Sequence, residues 1–188
     1  MKIKGLTLIE TLVAVSIFVA LILVIFTVME TGRNAWFTED VSTELRQGII
    51  NAFSVMEREL RETGNNSPVI NLASGTSANS LTFQLPQKDA NGDIILDANG
   101  SVTWSPNTIT YALNGAGQIT RTTQGSTTIL ANNIISLQFR RPASRDELSM
   151  DKSTLLDNVM QITVAARKTN ALRRVIDDSG QITIEMRN

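Results

Sequence analysis

The sequence predicts an α+β protein: a long N-terminal α-helix, apolar in its first half and amphipathic in its second, packed on an antiparallel β-sheet head. Three observations predict it. Residues 11–29 run nineteen positions without a charge, the apolar residues from Val41 to Leu60 recur at helical spacing, and beyond Leu81 the pattern changes to alternation. A chain of 188 residues has room for one core and an extension.

The apolar run comes first. At 1.5 Å per residue it covers about 28 Å, close to the roughly 30 Å of a bilayer's hydrocarbon. Lys2 and Lys4 precede it, so the positive-inside rule places the N-terminus in the cytoplasm and everything after Glu30 outside. A secretory signal peptide combines the same features, but the exit Thr27-Val28-Met29-Glu30-Thr31-Gly32 lacks the small residues that a signal peptidase requires. A plain signal anchor explains the span equally well and leaves Glu10 unexplained. An acid central in a span costs about 2.5–3.5 kcal/mol, and less near an end. Such a carboxylate calls for a partner.

The helix is expected to continue past the membrane surface. Val41, Leu45, Ile49, Ala52, Met56 and Leu60 form one stripe, while Glu44, Arg58, Arg61 and Glu62 lie mostly off it. Gly64, Asn65, Asn66 and then Pro68 provide a stop. From Leu6 to Thr63 such a helix is about 87 Å long. Gly32 and Gly48 are places where it can bend.

The head follows. Leu81-Thr82-Phe83-Gln84-Leu85, Ile109-Thr110-Tyr111-Ala112-Leu113 and residues 135–139, 160–166 and 182–186 read as strands of an antiparallel sheet on the helix stripe. Asn-Gly pairs, Gly115-Ala116-Gly117 and Asp177-Asp178-Ser179-Gly180 read as turns. Residues 143–158, polar and mixed, read as a surface excursion.

Composition excludes more than it assigns. With no cysteine and no histidine, thiol nucleophiles, disulfides, thiolate or imidazole metal sites and histidine-based triads are all ruled out. A net charge of -1 calls for no polyanionic partner. No glycine-rich phosphate loop, paired-carboxylate motif or nucleophile elbow is present, so neither an enzyme nor a cofactor is expected.

Lys4-Gly5-Leu6-Thr7-Leu8-Ile9-Glu10 resembles the processing site of type IV prepilins and type II secretion pseudopilins. The resemblance implies a leader of residues 1–5, cleaved between Gly5 and Leu6 by a membrane prepilin peptidase, and N-methylation of Leu6. It implies a retained transmembrane segment 6–29, an extracytoplasmic helix half 30–64 and a head 65–188. Leu6 departs from the phenylalanine usual in the family. In that family the acid corresponding to Glu10 pairs with the N-terminal amine of a neighbouring subunit. The physical reason is general: breaking a buried ion pair on one side costs about 3–5 kcal/mol, which selects one axial register. Small residues Ala14, Ser16 and Ala20 suit close helix approach.

Major pilins often carry a proline in the membrane half, and none occurs here before Pro68. This shifts the resemblance toward minor pilins and pseudopilins. Met56-Glu57-Arg58-Glu59-Leu60-Arg61, Thr110-Tyr111-Ala112-Leu113 with Ile119-Thr120-Arg121, and Glu185-Met186-Arg187-Asn188 loosely resemble the J-type minor pseudopilins and PilW-like minor pilins. The implied function is initiation or capping of a pilus or pseudopilus at the bacterial inner membrane, with other pilins or pseudopilins as partners and the head in the periplasm or outside the cell. The rival readings are a major or DNA-binding pilus subunit and, from another class, a membrane-anchored enzyme or receptor.

Two further features have simpler accounts. Asp89-Ala90-Asn91-Gly92-Asp93 and Asp97-Ala98-Asn99-Gly100 repeat a DANG element that partly matches a calcium loop, but Gly100 occupies the twelfth loop position where an EF-hand needs glutamate. Hairpin turns fit better. Arg140, Arg141, Arg145, Arg167, Lys168, Arg173 and Arg174 are interspersed with Asp146, Glu147, Asp151, Asp157, Asp177 and Asp178, as on a solvated mixed surface, and no nucleic acid is expected. Trp36, Trp104 and Tyr111 are too scattered for a base-stacking platform and read as packing residues.

Overall fold

The computed structural model describes residues 7–63, 72–73, 75–142 and 159–186. Gly5, Leu6, the stop residues Gly64, Asn65, Asn66 and Pro68, the 143–158 segment and Arg187-Asn188 lie outside the described residues.

Helix α1 runs unbroken over Leu8–Thr63, 56 residues, or about 84 Å. It passes through both Gly32 and Gly48. Thr7 caps its start, and in its last turn the Thr63 hydroxyl donates to the Glu59 carbonyl at 2.9 Å. The six stripe residues Val41, Leu45, Ile49, Ala52, Met56 and Leu60 are all buried. Before Val41 no described residue of the helix is. The half that precedes the head is long and apolar enough to cross a membrane, and the head covers none of it.

The strands that follow are β1 (Ser77–Ala78), β2 (Ser80–Pro86), β3 (Trp104–Leu113), β4 (Ile119–Thr123), β5 (Ser126–Ala131), β6 (Ile134–Arg140), β7 (Val159–Thr169) and β8 (Val175–Glu185). They form two four-stranded antiparallel sheets rather than the single sheet read from the sequence: β2-β3-β4-β5, a meander, and β1-β6-β7-β8. Alternation reveals strands but not their partners. The split occurs around Asn79, where the chain leaves the β1–β6 pair and enters the β2–β3 pair.

The helix packs on β7 and β8 of one sheet and on β2 and β5 of the other, and β6 touches β2 and β3 between them. One core results, centred on Met56, Leu60, Phe83, Tyr111, Phe139 and Ile162. The Phe83 and Tyr111 rings lie 5.6 Å apart on the inner face of the meander.

Five-residue turns of one kind recur. Asp89, Asp97, Asn114 and Asn170 each turn a side-chain oxygen onto two backbone N–H groups, two and four residues ahead, at 2.8–3.0 Å. The residue three ahead is left-handed in each: Gly92, Gly100, Gly117 and Arg173, with φ of 90°, 80°, 70° and 59°. The DANG pair thus forms turns, though with Asn-Gly ending a bulged loop rather than making a two-residue hairpin. Gly115-Ala116-Gly117 joins β3 to β4 as read. Asp177-Asp178-Ser179-Gly180 is not a turn: it lies inside β8, and the chain reverses at Asn170–Arg174 instead. Glycine stands at 180 for another reason. A Cβ there would lie 2.9 Å from both Ile49 Cγ2 and Phe53 Cε2 of the helix.

Candidate functional site

Glu10 sits in the first turn of α1. Its Oε2 accepts the Thr7 backbone N–H and the Thr7 hydroxyl, both at 2.9 Å, while the Glu10 N–H points back to Thr7 Oγ1 at 3.4 Å. Thr7-Leu8-Ile9-Glu10 is therefore a capping box, which satisfies donors that a helix start otherwise leaves open. The sequence reading gave Glu10 only an intermolecular role. The structure adds a local one that helps a carboxylate reside at the end of an apolar helix. Around and above it the side chains of Leu8, Leu12, Phe18, Leu23, Phe26 and Met29 are exposed on all sides of the helix. Such a surface is stable in lipid or against other helices.

A second polar site lies at the other end of α1. Glu59 occupies the head-facing stripe, three residues after Met56 and four before Thr63, and is buried. Tyr111 of β3 donates its phenolic hydrogen to Glu59 Oε2. Arg121 of β4, directly opposite Tyr111 in the sheet, reaches the same carboxylate with Nε at 3.0 and 3.1 Å and Nη2 at 2.9 Å. Burial first, and then the hydrogen bond to Glu59, push the Tyr111 phenol above its usual range. The Glu59 hydrogen bond likewise raises Arg121.

Glu59, Tyr111 and Arg121 come from separate sequence stretches, each of which resembled minor pilin-like proteins only loosely. Sequence reasoning passed over Glu59. The available signal was an acid on an apolar stripe, which needs a buried partner.

Two of the late basic residues, Arg167 and Lys168, form ion pairs, as does Arg46 of the helix. Arg167 holds Asp177 through two bonds of 2.6 and 3.1 Å, Lys168 reaches Glu44 at 2.5 Å and Arg46 lies 3.6 Å from Asp178. Arg141 donates to the Leu72 carbonyl at 3.1 Å. Arg145 lies outside the described residues. Tyr111 is buried in the core, Trp104 is partly covered and Trp36 stands free on the helix, so the structure does not bring the three aromatics together.

A surface cavity of about 340 Å³ beside the first DANG turn is lined by Glu62, Pro86, Lys88, Gly92, Asp93 and Ile94. Lys88 and Glu62 pair across it at 2.9 Å. Among the described residues no three acidic side chains converge as metal ligands would.

No protein-family model matches the chain, and no curated protein or solved structure does either.

Proposed function

We propose that this chain is a minor pilin or pseudopilin, a subunit that initiates or caps a type IV pilus or type II secretion pseudopilus at the bacterial inner membrane. One observation carries the reading: a single continuous helix has its second half built into the head and its first half left uncovered, with a carboxylate at Glu10 in its first turn. A helix of that form can wait in a bilayer and then pack among equivalent helices. The resemblance of Lys4-Gly5-Leu6-Thr7-Leu8-Ile9-Glu10 to a prepilin site supports cleavage after Gly5 and methylation of Leu6.

In this reading, cleavage frees an amine on Leu6, next to the capping box. Glu10 is held by Thr7 in the isolated subunit and pairs with the amine of an adjoining subunit on assembly. The head, periplasmic or extracellular, supplies contacts to other pilins. The absence of proline before Pro68 favours a minor subunit over a major or DNA-binding one.

Mass spectrometry of the protein from cells containing the peptidase should find a methylated Leu6 at the N-terminus. Glu10→Ala should remain inserted in the membrane and fail to enter filaments. An intact Met1 would overturn the reading in favour of a membrane-anchored enzyme or receptor, whereas normal incorporation of the Glu10→Ala protein would overturn the role of Glu10 in axial register.

A further inference from the structure

Trp36 is the most exposed large hydrophobic residue of the helix between the apolar run and the head, with 80% of its surface open. This is unusual for the largest apolar side chain. The head does not approach it: Leu45, buried in the head, follows Trp36 by nine residues, or about 2.5 turns, and so lies on the opposite side of the helix. Toward the membrane, by contrast, Met29, Ile25, Ile22 and Phe18 precede it at helical spacing. All four are exposed, and Trp36 continues their stripe.

The helix acts as a ruler. The uncharged run 11–29 is centred on Ala20, and Trp36 lies sixteen residues further, about 24 Å along the axis. With an ordinary tilt of about 20° this becomes roughly 22 Å from the midplane. Half of a bilayer including its polar zones is about 20–22 Å. Helical side chains also lean toward the N-terminus, which brings the indole back toward the lipid. The residues between Met29 and Trp36, namely Glu30-Thr31-Gly32-Arg33-Asn34-Ala35, suit the headgroup zone, and Arg33 can extend its charge toward water. Phe37, also exposed, adds a second ring at the same level.

Resting on the membrane-span reading above, we infer that Trp36 is an interfacial anchor: its indole occupies the outer lipid–water boundary of the bilayer and fixes how far the head stands from the membrane. Tryptophan prefers this zone because its ring is apolar and its N–H seeks a polar partner. The buried stripe starts at Val41, five residues on, or about 7.5 Å along the helix. The anchor therefore holds the head close to the surface, its lower end within one or two helical turns of the headgroups.

The chain has two tryptophans, so Trp104→Phe leaves Trp36 as the sole indole of the full-length protein. The test reconstitutes this variant in phosphatidylcholine vesicles brominated either near the headgroup end or near the methyl end of the acyl chains. Shallow bromines should quench Trp36 emission severalfold more than deep ones. Two further proteins separate the possible failures. Trp36→Phe, retaining Trp104 in the head, should show no quenching. Phe18→Trp in a chain lacking both native tryptophans should be quenched most by deep bromines. If Phe18→Trp is quenched while Trp36 shows a water-exposed spectrum and no quenching, the anchor is wrong and the span stands. If neither is quenched, the span reading itself fails and the anchor with it.

Discussion

Tyr111 of β3 donates its hydroxyl hydrogen to Glu59, 52 positions earlier in the chain, and this bond ties the last turns of the helix to the inner face of the meander. Arg121 closes the group from the neighbouring strand. The three side chains form a polar clamp inside an otherwise apolar interface, so the helix has one favoured rotation and height against the sheet. A purely apolar contact would tolerate sliding; a shared carboxylate with fixed donors does not.

Breaking the clamp from the helix side should be costly. Glu59→Ala leaves the Arg121 guanidinium and the Tyr111 hydroxyl without their acceptor and should destabilise the detergent-solubilised full chain by about 2–4 kcal/mol, below a fully buried pair because Arg121 is partly open to water. Glu59→Gln, which keeps an acceptor, should lose about 1–2 kcal/mol. A chemical denaturation series with the Tyr111→Phe double mutant checks the coupling. Additive losses would show that the clamp does not act as a unit.

Tyr111 is the only tyrosine, so its ionisation can be followed by phenolate absorbance alone. Its folded pKa is raised, chiefly by burial. A raised folded value means that the group's contribution to stability is complete below the unfolded pKa of about 10 and is lost as pH rises beyond it. The native protein should therefore show no phenolate at pH values where the urea-unfolded chain is half ionised, and the signal should appear only together with alkaline unfolding. Superimposable native and unfolded curves would contradict a buried phenol.

Gly180 should resist even alanine. Gly-to-Ala inside a strand is ordinarily neutral or favourable, but here the new methyl group meets Ile49 and Phe53 at 2.9 Å. Gly180→Ala should cost about 1–2 kcal/mol and Gly180→Val about 3 kcal/mol by forcing the helix off β8. Phe53→Leu should rescue part of the alanine loss, measured as the melting temperature of the double variant. An unchanged or raised melting temperature for Gly180→Ala alone would show that the helix does not approach β8 so closely.

The four recurring turns set up a comparison. Arg173 occupies the left-handed position that Gly92, Gly100 and Gly117 fill elsewhere. Arg173→Gly should be neutral or stabilising by up to about 1 kcal/mol, since relieved strain outweighs the added freedom of the unfolded chain. Gly117→Ala should lose about 1–2 kcal/mol, because the conformation is strained and its Cβ would lie 3.1 Å from the Ile134 carbonyl oxygen. Thermal melts of the two variants should move in opposite directions or, at minimum, differ by that margin.

Much of the fold was legible because it is local in the sequence. A run without charge, a stripe at helical spacing from Val41 to Leu60 and five alternating segments each announce themselves within a few turns or residues. The helix is present through Thr63, and four of the five expected strands appear where the pattern placed them, while the fifth, read as 182–186, begins at Val175 and takes in the stretch read as a turn. Strands β4 and β5 were not read, since Thr120, Thr122 and the hydroxyl-rich start of β5 offer little apolar alternation. Glu10 could be singled out by its chemistry, but not its bond to Thr7.

By itself, then, the sequence determined an apolar helix of membrane-spanning length, its amphipathic continuation, the α+β class and the acid at Glu10, because hydrophobic burial imprints a period on neighbouring residues. Tertiary structure alone decided that the strands divide into two sheets around Asn79, that Gly180 is a contact point rather than a turn and that Glu59, Tyr111 and Arg121 meet. These depend on which distant segments share a volume. A carboxylate on a helix and a guanidinium on a strand carry no mark of each other until the packed core brings them within bonding distance and excludes the water that would otherwise satisfy both.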